Sequence, residues 1–79
     1  MRFDQKLMNY AIGEELTKTK IKNCRIMIER QFKNGCTPLQ LVTMQSILKT
    51  MKKRIEKNYS DLLEWFNYCF DDILQIKVN

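Results

Sequence analysis

The stretch NGCTPLQ, Asn34 to Gln40, is the one strong break in a chain that has only two glycines and one proline, and its reading decides the fold. Asn34 and Gly35 suit the left-handed backbone that closes a helix. Thr37 offers the hydroxyl of an N-cap, Pro38 takes the first helical position, where a missing N–H costs nothing, and Gln40 completes a Thr-x-x-Gln capping box. One helix ends here and another starts within a few residues. That is the corner of a helical hairpin.

Upstream of the corner, Phe3, Leu7, Tyr10, Ile21, Cys24 and Ile28 recur at helical spacing, with a polar gap at Glu14 and Thr17. This predicts a first helix over about 4–33, with a weak point between Gly13 and Lys20 because an interior glycine costs about 1 kcal/mol relative to alanine. Downstream, Leu41, Met44, Leu48, Met51 and Ile55 predict a second helix over about 38–58. The rhythm then slips by one residue, continuing as Tyr59, Leu62, Phe66, Cys69, Ile73 and Ile76. Asn58, Ser60 and Asp61 are competent N-caps, and Glu64 follows Asp61 at capping-box spacing, so a third helix is expected over about 60–76. The alternative is one long helix with a stutter. No strand alternation or internal repeat is visible. The expected fold is all-α: one domain over 1–79, an antiparallel hairpin plus a C-terminal helix, a small three-helix bundle open to oligomerisation.

A domain of this size removes only about 60% of its unfolded surface from water, so outside help with stability is common. Three cysteines, Cys24, Cys36 and Cys69, are too few and too scattered for a disulfide scaffold and point to a reducing, cytoplasmic setting. With no histidine and no C-x-x-C pair, no metal site is expected, and no cofactor is implied. No apolar run is long enough for a membrane span, and the first residues do not begin a secretory signal. Protein association is the remaining source of help.

Eleven basic residues lie between Leu16 and Lys57 against two acids, Glu29 and Glu56, within a formal net charge of +5. From Asn58 onward Asp61, Glu64, Asp71 and Asp72 reverse the sign. If the two long segments pair around the corner, Lys18, Lys22 and Arg25 should lie beside Lys49, Lys52 and Lys53, giving two basic rows that could grip phosphates. A plain solvated lysine surface is the competing reading. No finger, helix-turn-helix or ribonucleoprotein aromatic motif supports sequence-specific nucleic-acid reading, and the aromatics lie in the acidic third, away from the lysines.

LLEWFNYCF, Leu62 to Phe70, holds seven apolar residues in nine positions. On a helical projection the apolar arc spreads well beyond the roughly 100° a surface helix needs. A lone three-helix bundle would leave part of it wet, which makes Leu63, Trp65, Tyr68, Phe70 and Leu74 a candidate contact face for a second copy or another protein. Catalytic parts are missing: serine occurs only at Ser46 and Ser60, and there is no phosphate-cradling glycine loop. Cys24 and Cys69 fit apolar stripes, while Cys36, exposed at a helix start, should have a lowered pKa. Met44 and Met51 read as core filler.

The expected function is therefore a small, non-enzymatic interaction, inhibitory or regulatory protein that self-associates through its C-terminal helix. Its lysine, asparagine and isoleucine content suits a phage or mobile-element accessory protein. A nucleic-acid-associated basic protein is the first alternative. An oligomer that traps a nucleotide or other phosphate ligand is the second.

Overall fold

The computed structural model describes residues 3–13 and 15–77, with the side chains of Phe3 and Asp4 outside the described set, as is all of Glu14. Four α-helices and two short helical turns follow one another: α1 (Phe3–Met8), a π-helical turn (Asn9–Gly13), α2 (Lys18–Asn34), α3 (Pro38–Asn58), a 3-10 turn (Ser60–Leu62) and α4 (Leu63–Leu74). The all-α hairpin with a C-terminal helix is the architecture expected.

The corner forms as its residues dictate. The Thr37 hydroxyl accepts from the Gln40 N–H at 3.1 Å, and the Gln40 side-chain oxygen accepts from the Thr37 N–H at 2.9 Å. Among the described residues Gly35 alone takes positive φ, at 103°, while Asn34 stays in the last turn of α2. Thr43 and Thr50 bond back to carbonyls one turn earlier, so their hydroxyls do not compete for the helix.

Two boundaries differ from expectation. The first segment is not one helix over 4–33: it is interrupted at the weak point expected between Gly13 and Lys20 and restarts at Lys18, with the Thr17 hydroxyl accepting from the Lys20 N–H at 3.2 Å as the new N-cap. The break lets the N-terminal unit fold back onto α3, where Arg54 donates to the Ala11 carbonyl at 3.4 Å. The third helix is entered through the 3-10 turn without a side-chain cap from Asn58, Ser60 or Asp61, and it ends at Leu74 rather than Ile76. Its end is held instead by Gln45 of α3, whose Nε2 donates to the carbonyls of Ile73 and Ile76, both at 2.8 Å. The Ile73 carbonyl also accepts from the Ile76 N–H at 3.3 Å, so Gln45 adds a side-chain donor where the regular helix ends.

The core draws on every helix. Leu7 and Ala11 from the N-terminal unit meet Ile21, Cys24 and Ile28 of α2, Met44, Leu48, Met51 and Ile55 of α3, and Phe66, Phe70 and Ile73 of α4. Close backbone approach joins α3 to the N-terminal unit and to α4, and joins α2 to α4. Helices α2 and α3 share far less of it, so α4 fills the hairpin and the simple two-row pairing of α2 with α3 does not hold. The exposed surface is 5455 Å², close to the roughly 5,100 Å² of a folded monomer of this length. The chain shelters its own core.

Candidate functional site

Because α4 is clasped from several sides, most of its expected contact face is spent inside. Phe70 is fully buried and stacks at 5.0 Å, tilted, on Phe66. Leu63 and Leu74 are half-buried against the core. Phe70 is therefore corrected from contact residue to core residue, and the apolar arc of α4 is not too wide for one chain to cover. The physical reason is the extra layer: the N-terminal unit packs on α3 and lets α3 and α2 close on α4 together.

Tyr68 is the exception, with 81% of its surface exposed. Its ring is not loose, because it stacks on Trp65 with centroids 5.5 Å apart. Trp65 is fixed in turn: its indole N–H donates to the Lys18 carbonyl at 3.1 Å, and the Lys18 ammonium lies 4.9 Å above the ring. The Lys18 carbonyl belongs to the first residue of α2, just after the Thr17 cap. The start of α2 thus positions the aromatic pair of α4.

Around this pair α2 and α4 form an open groove of about 900 Å³, lined by Lys18, Lys22 and Arg25 from α2 and by Asp61, Glu64, Trp65, Tyr68, Cys69 and Asp72 from α4 and the turn before it. Lysines and aromatics that are far apart along the chain share one site, contrary to the expectation that they lie apart. The basic rows, in contrast, are separated. Taking the buried stripe of α3 as reference, Lys49 and Lys53 point about 140–180° away from it, onto the outer face, and Lys52 about 80° away. Lys49 and Lys53 are exposed, and no α3 residue lines the groove. A second, smaller cleft between the N-terminal unit and α2 includes none of the candidate residues.

Arg25 locks the far end of the groove. Its Nη1 donates to the Cys69 carbonyl at 2.7 Å and to Asp72 Oδ1 at 2.7 Å, while Nη2 donates to Asp72 Oδ2 at 3.0 Å. Its Nε lies 3.5 Å from Glu29. The two-pronged bond from Arg25 holds the Asp72 carboxyl below the ordinary carboxylate range, with the Ile73 N–H helping. Stability from this pair is thus present above the unfolded carboxylate pKa of about 4 and is lost as pH falls through the lower folded value. Since Asp72 is well exposed, Asp72→Asn should cost only about 0.5–1 kcal/mol at neutral pH. Urea midpoints of the two proteins should converge in acid; a gap that stays constant with pH would show that the ion pair is not its source.

The thiols are quiet. Cys24 and Cys69 pack as small hydrophobes, as expected. Cys36 is half-buried against the core, and desolvation pushes its thiol up rather than down, which corrects the expectation of an activated thiol at the helix start. Among the described residues no group of three or more Cys, Asp or Glu side chains is placed to hold a metal ion, and no helix is long and apolar enough to cross a membrane.

No protein-family model matches the chain, and no curated protein or solved structure matches it. Function therefore has to be argued from the groove itself.

Proposed function

We propose that this chain is a non-enzymatic binding protein that acts by occupancy, docking protein surface onto the α2–α4 groove. The observation that supports it is Tyr68, which is largely exposed yet held in place on a Trp65 that is itself anchored to Lys18. Aromatic anchors concentrate binding energy at contacts, and anchors already fixed lose little freedom when a partner arrives. Such a protein inhibits or regulates by covering a partner's surface. Arg25 is committed to Asp72 and desolvation raises the Cys69 thiol, which weighs against either serving as a reactive group.

The test is affinity capture from the producing cells with the wild-type chain and with a Trp65→Ala, Tyr68→Ala variant whose helicity is verified. A protein retained by the first and lost by the second supports the reading. Identical captured proteins for both would contradict it.

A polyanion-binding reading draws on a different surface. Lys49, Lys53 and Lys57 are exposed at i, i+4 and i+8 on the outer face of α3, and no ion pair involves them among the described residues. A nucleic acid or phosphate ligand would use that row and not the groove, whose three carboxylates oppose it. Binding there should fall steeply with salt.

A further inference from the structure

We infer that the groove's partner is a second copy of this chain, docked about a twofold axis that runs along the groove. This rests on the reading of the groove as a protein contact and names the occupant. Helices α2 and α4 run in the same direction: Lys18 meets Trp65 at one end, and Arg25 meets Cys69 and Asp72 at the other. The groove therefore has bases along its α2 side and acids along α4 and the turn before it, with the aromatic pair on α4 among the acids.

Such a surface can face its own copy about either of two axes lying in the contact plane. An axis across the groove sets α2 against α2 and acid against acid, which like-charge repulsion penalises. An axis along the groove sets the α2 of each copy against the α4 of the other, base on acid, twice over. Charge alone selects the second. The contacts fix the register as well. Residue 18 is level with residues 64–65 within a chain, and a twofold along the groove preserves that level, so Lys18 of each copy faces Glu64 of the other. Among the described residues no ion pair involves Lys18, Lys22, Asp61 or Glu64, and the Lys18 ammonium has the Trp65 ring, 4.9 Å away, rather than a carboxylate beside it. With Phe66 pointing into the core, Tyr68 points about 160° away from it, straight at the opposing copy.

A polyanion would meet three carboxylates here, and a basic peptide would meet Lys18, Lys22 and Arg25. A rotated copy meets both walls with the matching sign. The strip from Asp61 to Asp72 is about 17 Å long and two helices wide, a few hundred Å² per partner, against about 800 Å² for a standard interface. The dimer is a reversible one, populated at high micromolar concentration.

Sedimentation velocity on two single variants and their mixture decides it. Lys18→Glu alone and Glu64→Lys alone each place like charges opposite each other at both symmetry-related positions, so each should self-associate about tenfold or more weakly than wild type. Mixed one to one, they restore two opposite pairs and should form a heterodimer as readily as wild type forms its dimer. Restoration only on mixing cannot come from a contact within one chain. The inference is overturned if the mixture behaves as the sum of its parts, or if wild type stays monomeric at high micromolar concentration. Capture of another protein that depends on Trp65 and Tyr68 would then leave the groove a contact site with a different occupant.

Discussion

Phe70→Ala is expected to destabilise the fold by about 3–5 kcal/mol, whereas Tyr68→Ala, two positions earlier in the same helix, should change stability by less than about 0.5 kcal/mol. Phe70 is fully buried against Phe66, so removing its ring leaves a cavity beside Phe66 in the core that cannot fully close. Tyr68 is turned to solvent, and its loss removes one exposed stacking partner of Trp65. At roughly 0.05–0.15 kcal/mol per residue the whole domain is stable by about 4–12 kcal/mol, so Phe70→Ala takes much of the total. Urea unfolding followed by the single tryptophan measures both. Equal destabilisation by the two changes would contradict the placement of α4.

Leu7→Ala is the second large effect, expected to cost about 2–5 kcal/mol. Leu7 is fully buried, and with Ala11 it joins the N-terminal unit to the core beside α3. Ile12, on the same unit but 59% exposed, is the internal control: Ile12→Ala should stay within about 0.5 kcal/mol. If Leu7→Ala were as mild as Ile12→Ala, the N-terminal unit would be a dispensable extension. The shelter it gives the α3 side of the bundle would then need another source.

The corner at Gly35 to Gln40 was legible because its causes are local: a glycine, an N-cap hydroxyl, a proline and a glutamine act within one turn. The break before Lys18 was legible only as a weak point between Gly13 and Lys20, because Tyr10 and Ile21 are eleven residues apart, close to three helical turns, so the apolar rhythm stays in phase across a gap that the chain in fact uses to fold back. Phe70 was misplaced for a different reason. It lies about 70° from the mean direction of Phe66, Cys69 and Ile73 on α4, at the edge of the apolar stripe, and whether an edge position is buried depends on which helices close on it. The buried direction of α4 is set by Phe66, Cys69, Phe70 and Ile73. Trp65 and Tyr68 were recognisable as contact candidates from their type and position. Their meeting with Lys18, Lys22 and Arg25 was not, because it depends on α4 lying beside α2 rather than on anything along the chain.

The claim on which this account rests is that the Trp65–Tyr68 groove is where the protein makes contact. A dilution series of proton–nitrogen correlation spectra tests it most directly, because the one indole N–H is that of Trp65. Concentration-dependent shifts should gather on the Trp65 indole, Tyr68, Glu64, Lys18 and Lys22, while Lys49, Lys53 and Lys57 on the outer face of α3 stay fixed. Shifts confined to the α3 face, with the Trp65 indole unmoved throughout, would contradict it.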